Sequence, residues 1–356
     1  MIKKILIKIK DLLISPVNLL FFVINKPLTP RWMVFDITRR CNSRCIHCNI
    51  WKYSPQIDPL SRVEIRKVLS DPILKNLETV LLTGGEPALR MDLEEIILDI
   101  HQILPKVSIW LSTNGILKER VMDIVKKAAQ SDIWLGIGVS LDAVGDKHDV
   151  MRGIEGNFKK ADELIKDLML WRKENGEKNV VSVGFTLSNN TKDFLKEVVE
   201  YNNKVGTELT VAIHEEGDFY HNLGENFTKG WNGFLPLLKL LPDTHHRHFV
   251  HKKISGQKIK FKCFALNRFF VLRFNGNVAP CLKLADLSAG NVKEKSPSEI
   301  WFGLKSKEIR RQIKKCPGCL NTWAVNWSFQ SYNPVPLLYY SLIKRLNILR
   351  QWLKLC

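Results

Sequence analysis

Residues 41–51 read CNSRCIHCNIW and follow the β-branched run MVFDIT at 33–38 after two arginines. Cys41, Cys45 and Cys48 fall within eight residues, with no fourth cysteine beside them. Tetrahedral structural zinc needs four ligands and a disulfide needs a pair, so neither accounts for three thiols in one loop. Three thiolates can hold three irons of a cubane 4Fe-4S cluster. The fourth iron is then open to a chelating ligand that the cluster can supply with an electron.

Outward from that loop, short strand-like runs alternate with longer amphipathic stretches. The spacing predicts strands at 33–38, 79–83, 107–113, 134–141, 180–187 and 208–213, with helical patterns such as SRVEIRKVLS, MDLEEIILDIHQIL and NFKKADELIKDLMLWRKE between them. Strand-helix alternation implies right-handed crossovers and a parallel sheet, whose active site forms in the loops at the carboxyl ends of the strands. The cysteine loop, GGEP, STNG, SLDA and SNNT all follow successive strands. All five therefore fall at one mouth.

Taken together, the triple cysteine, GGEP, STNG and SLDA resemble the radical S-adenosylmethionine (radical SAM) superfamily, over residues of about 33 to 322. The resemblance implies an α/β fold: a partial (β/α)6 TIM-like barrel followed by a small α+β twitch/SPASM-like domain. It implies that Cys41, Cys45 and Cys48 bind a catalytic 4Fe-4S cluster. S-adenosylmethionine would chelate the open iron and be cleaved reductively to a 5'-deoxyadenosyl radical, which takes a hydrogen atom from the substrate. Gly84, Gly85 and Glu86 match the segment near the methionine amino group. Ser112, Asn114, Ser140 and Asp142 match polar contacts at the ribose and methionine end, and Arg152 matches a basic position at the cofactor carboxylate. His47 corresponds to a loop position near the adenine and is given no acid-base role.

Cys263, Cys281, Cys316 and Cys319 form a second set, the last two as CPGC. They resemble the SPASM/twitch extension, in a form without the further cysteines of a full SPASM domain and with Leu282 where some members carry an acidic residue. Four thiols suffice for one auxiliary 4Fe-4S cluster, and zinc on the same thiols is the alternative. Cys356 stands alone. His214, Glu215, Glu216 and Asp218, after the sixth strand, are candidates for substrate contact or proton transfer. The tract DTHHRHFVH reads as a solvated, mildly basic loop, GFLPLLKLL as a short helix, and FFVLRFNGNVAPC as a hairpin.

Eight cysteines in 356 residues is not disulfide density, and their clustering points to a reducing cytoplasm. The net charge of +18 is terminal: residues 1–60 carry 10 Lys/Arg against 3 Asp/Glu and residues 301–356 carry 10 against 1. Near balance between them, with no groove-reading motif, argues against a zinc-stabilised nucleic-acid-binding protein and for no nucleic-acid partner. MIKKILIKIKDLLI, ended by Pro16, and PLLYYSLIKRLNILRQWLKLC read as basic amphipathic helices that attach to an anionic membrane surface or pack on the protein. No run reaches the roughly 20 apolar residues of a span, and the Lys-rich, interrupted first segment is not expected to act as a secretory signal.

The expected organisation is a basic amphipathic segment at 1–30, the core barrel at 31–215, a connecting insertion at 216–262, the auxiliary-cluster domain at 263–322 and a basic amphipathic segment at 323–356. The expected activity is hydrogen abstraction from a small-molecule, carrier-linked or peptide substrate, in the first instance a lipid- or carrier-linked sugar at the membrane face. Maturation of a ribosomally made peptide is the alternative. A reducing donor such as flavodoxin or ferredoxin would supply the electron.

Overall fold

The computed structural model describes residues 15–53, 59–176, 179–225, 231–241, 244–259, 261–316 and 318–332. The amphipathic runs at 2–13 and 338–353, and Cys356, lie outside them. Residues 15–23 form a helix, α1, with Pro16 in its first turn, where its missing N–H is tolerated; the helix that Pro16 was expected to end lies outside the described residues.

Six parallel strands follow the predicted order: β1 (Trp32–Thr38), β2 (Thr79–Gly84), β3 (Ser108–Thr113), β4 (Leu135–Ser140), β5 (Val181–Leu187) and β6 (Glu208–Ile213). Each pairs with its predecessor in the parallel sense. Every residue of β1 is buried, as expected of a strand covered on both faces. The crossovers are α2 (Arg62–Leu69), α3 (Leu93–Ile103), α4 (Lys118–Gln130), α5 (Asp146–Arg152), α6 (Asn157–Glu174) and α7 (Leu195–Val205). Their apolar stripes close on the sheet; in α3 these are Leu93, Ile96, Ile97 and Ile100. A capping box, Ser61 with Glu64, starts α2. The fold is the expected partial barrel.

The 263–322 segment does not form a separate sheet. β7 (Phe269–Leu272) pairs in parallel with β1, and β8 (Asn277–Ala279) and β9 (Gly290–Asn291) continue antiparallel, giving one sheet in the order β6-β5-β4-β3-β2-β1-β7-β8-β9. β7 and β8 form the expected hairpin. Buried Asp36 on β1 accepts from Arg273 Nε at 2.9 Å and lies 3.6 Å from Arg39. One charge thus ties the auxiliary segment and the cysteine loop to the same strand.

Two local expectations are corrected. GFLPLLKLL is not one helix but two 3-10 stretches, Trp231–Phe234 and Pro236–Leu240, because Pro236 cannot donate the hydrogen bond a continuous helix needs. DTHHRHFVH is not a solvated loop: Thr244 caps helix α8 (His245–Ile254), and His246 is buried. Beyond α9 (Pro297–Phe302) and α10 (Leu304–Ile313), α11 (Thr322–Tyr332) bears no charge and buries Ala324, Val325 and Trp327. The stretch from 323 to 332 is therefore core and not a basic amphipathic face.

Candidate active site

At the carboxyl ends of the strands lies a cavity of about 290 Å³. Cys41, Cys45 and Cys48 line it with Gly84, Gly85, Glu86, Ser112, Asn114, Ser140 and Arg152. Asp142 stands just behind, fully buried. SNNT does not reach the cavity: Ser188 N donates to Thr191 Oγ1, which donates to Thr186 O. Strand β5 contributes Ser182, Gly184 and Thr186 instead.

The glycines of GGEP answer first to packing. A Cβ on Gly84 would stand 2.2 Å from Thr38 O, and one on Gly85 2.0 Å from Arg40 O. Their absence lets Gly85 N donate to Thr38 O (2.7 Å) and Glu86 N to Arg40 O (2.8 Å), laying the β2 loop directly on the cysteine loop. Glu86 is spent internally: its carboxylate accepts from Asn114 N (2.7 Å), Thr113 Oγ1 (2.9 Å) and Ala88 N (3.1 Å). Burial pushes it up to about 7. Asn114 donates in turn to Asn42 Oδ1 (2.7 Å) and Ser43 Oγ (2.9 Å). These residues hold three loops in register. Ser112 and Ser140 differ, since neither hydroxyl has a protein partner among the described residues, and both are open to a ligand.

Arg152 is buried, not a solvated arginine. Its Nη2 lies 2.8 Å from Asp142 Oδ2 and its Nη1 donates to Cys45 Sγ at 3.6 Å. Burial works against ionisation of Asp142, and Arg152, His47 and His148 overcome it to keep the carboxyl below its ordinary range. His47 is buried, 3.9 Å from Asp142, and burial pushes it down to about 4.

The cysteine loop also fits a cluster. Burial, with mutual repulsion of the thiols, pushes Cys41 up to about 11 and Cys48 to about 12, and burial raises Cys45 as well. Without a cationic guest these thiols stay protonated; iron would stabilise them as thiolates. All seven cysteines among the described residues are free.

In the second set, Cys263, Cys281, Cys316 and Cys319 sense one another's charge, and a hydrogen bond joins Cys263 to Cys316. That bond pushes Cys316 down. The CPGC turn is gripped by α8: His246 Nε2 contacts Leu320 O (2.7 Å), Lys253 donates to Gly318 O, and Phe249 packs where a Cβ on Gly318 would fall. Gly318 has φ +82°, a conformation that favours glycine. Sequence reading passed over this scaffold, although His246, Phe249 and Lys253 recur at three and four.

The segment after β6 joins the two cysteine sets. His214 Nε2 contacts His47 O (3.2 Å), and Asn49 N donates to Tyr220 O (2.9 Å). On its other edge, Asp218 N and Phe219 N donate to Lys283 O and Leu282 O, both at 3.3 Å. His214, Glu215 and Glu216 line the cavity, whereas Asp218 bonds Asp286 N behind it. Glu215 lies 3.8 Å from Lys283, and its burial raises it.

A pH prediction follows from His148. Its Nδ1 accepts the Asp142 N–H at 3.1 Å, so that nitrogen must be unprotonated, and burial followed by the charge of Arg152 pushes the ring down to about 4 from 6.5. Between those values the unfolded chain binds a proton that the folded chain refuses. Stability is therefore whole above pH 6.5 and falls toward pH 4, by at most ~1.4 kcal/mol per pH unit from this group. Melting temperatures across that window should decline less steeply for His148→Gln; an unchanged slope would refute the assignment.

Residues 35–201 match the Radical SAM superfamily, and residues 263–320 match an iron-sulfur cluster-binding domain, SPASM. GTP 3',8-cyclase of Aquifex aeolicus is 28% identical over 79% of this chain and 92% of its own length. The sporulation killing factor maturation protein SkfB of Bacillus subtilis is 22% identical over 79% of this chain and 67% of its own. Several other relatives are matched over less than half of their length. Streptococcus suis SuiB, solved bound to its precursor peptide SuiA, shares the fold with a TM-score of 0.62, at 16% identity over 83% of this chain and 70% of SuiB. When bound, a 4Fe-4S cluster with S-adenosylmethionine supplies a radical that abstracts hydrogen, and the SPASM match decides for iron-sulfur over zinc at the second cysteine set. The chain belongs to the radical SAM superfamily and is an enzyme of that superfamily with a SPASM domain at its carboxyl side.

Proposed function

We propose that this enzyme abstracts a hydrogen atom from a lipid- or carrier-linked sugar presented at the inner face of a membrane, with one auxiliary 4Fe-4S cluster on Cys263, Cys281, Cys316 and Cys319. The observation that carries the substrate class is the cavity wall beyond the thiols. Thr83, Ser182, Thr186 and Thr210 line it, as do Trp110 and Trp323. Ser182 and Thr210 hydroxyls stand 2.9 Å apart. Hydroxyls and aromatic side chains lining one cavity suit a polyhydroxylated ligand. The match to a GTP cyclase, whose name places a ribose-bearing nucleotide in its reaction, is in keeping with this.

In this reading Cys41, Cys45 and Cys48 hold the catalytic cluster. Ser112, Ser140 and the backbone of Gly84 and Gly85 contact S-adenosylmethionine, and Arg152 faces its carboxylate. Glu86, Asn114 and Asp142 fix the loops that make those contacts. A flavodoxin- or ferredoxin-like donor delivers the electron.

Reconstituted enzyme given reductant, S-adenosylmethionine and deuterated carrier-linked or nucleotide-linked sugars should form 5'-deoxyadenosine carrying deuterium. Stimulation by a co-expressed neighbouring peptide alone would overturn the sugar reading. It would establish the second one, peptide maturation, which the SkfB match supports.

A further inference from the structure

The helix at 15–23 is fastened in an unusual sense. Its buried side is polar and aromatic: Asn18 Nδ2 donates to Ser331 O (2.8 Å), Asn18 Oδ1 accepts from Arg268 (2.5 Å), and Phe22 stacks on Phe264 at 4.8 Å. Most aliphatic side chains on it and at its end face solvent. Val17, Leu20, Val23 and Ile24 are 49, 57, 61 and 56% exposed. At spacings of three and four these form one ridge, and in sequence that ridge continues the Ile and Leu stripe of residues 2–13, whose polar positions hold Lys3, Lys4, Lys8 and Lys10.

The end of this helix lies along α10. Lys314 Nζ donates to Val23 O (2.9 Å) and Asn25 Nδ2 to Lys307 O (3.4 Å). The solvent face of α10 and the turn after it presents Lys305, Lys307, Arg311 and Lys315 against the single carboxylate of Glu308. Phe302 and Leu304, 59 and 84% exposed, stand at its start. An aliphatic ridge beside a cationic helix face matches the two components of an anionic bilayer surface, acyl chains below and phosphates above. A nucleic acid would match the cations and leave the ridge unused. Among the described residues no helix is long and apolar enough to cross a membrane.

The geometry points to this composite surface, the ridge of Val17, Leu20, Val23 and Ile24 with the cationic face of α10, as a docking site for anionic phospholipid. The inference deepens the membrane half of the function proposed above and is independent of the sugar. Thr322 at the head of α11 lines the cavity, whereas Tyr332 at its tail accepts from Ser15. Docking at the tail end therefore leaves the cavity mouth uncovered.

The test is co-sedimentation of the full chain with phosphatidylcholine vesicles, with and without phosphatidylglycerol. Binding should require phosphatidylglycerol and weaken in high salt. It should fall at least roughly tenfold in L20S/V23S/I24S and in K305E/K307E/R311E/K315E, both folded by circular dichroism. No binding by the unaltered chain would overturn the proposal. So would full binding by both variants with loss on removal of residues 1–14, which would make that segment the sole anchor. A self-association abolished by L20S/V23S/I24S, without vesicle binding, would identify the ridge as a contact between copies and overturn it too. Sugar-dependent deuterium transfer in solution is read separately, so either proposal can fail alone.

Discussion

Replacing Cys41, Cys45 and Cys48 together with alanine should lower the iron of the anaerobically reconstituted protein from about eight per chain to about four, and 5'-deoxyadenosine formation should fall to background. The reason is geometric. The three thiols line one wall of the cavity, whereas Cys263, Cys281, Cys316 and Cys319 sit beyond the 214–222 segment, in a separate cradle made by α8 and the 281–284 loop. Losing one set leaves the other's scaffold intact. Iron and sulfide analysis with chromatography of the nucleoside decides the matter. Iron falling to zero would mean that the two sets share one metal site, and retention of about eight would place the catalytic cluster elsewhere.

Gly85→Ala should be nearly as damaging without removing any ligand. Its Cβ would fall 2.0 Å from Arg40 O, inside the backbone of the loop that leads into Cys41, where no side-chain rotamer can relieve the contact. The bonds from Gly85 N to Thr38 O and from Glu86 N to Arg40 O must break or stretch, at a cost of about 3 kcal/mol or more. Iron content should again fall by about half, with a lowered melting temperature, while the α8 cradle keeps its cluster. Gly233→Ala is the control. A Cβ there meets nothing within 4 Å and φ is not in the left-handed region, so it should change neither reading. Full iron and normal cleavage by Gly85→Ala would show that the two loops can separate without loss.

Local periodicity carried much of the architecture. Each predicted strand lies within one residue of its observed ends, because short runs rich in β-branched and aliphatic residues such as TVLLT stand apart from helices between them that repeat at three and four. The run DTHHRHFVH reads locally as a solvated loop, but burial of His246 against Leu320 O set the outcome. Those partners are 74 residues apart in the chain. No window of sequence contains both.

The same division holds at the site. The sequence by itself determined that three thiols without a fourth stand at a strand end, and that GGEP, STNG and SLDA follow in order at the same mouth. Spacing along one chain is enough to state both. Only the tertiary structure decided what each residue touches there. It placed Arg152 against Cys45 across 107 residues and spent Glu86 on Asn114. It extended the barrel sheet through β7, and made α8 the holder of the CPGC turn. The physical reason is that a buried charge or carbonyl must find a partner wherever the fold brings one within about 3 Å. That distance is a property of packing and has no signature in the order of residues.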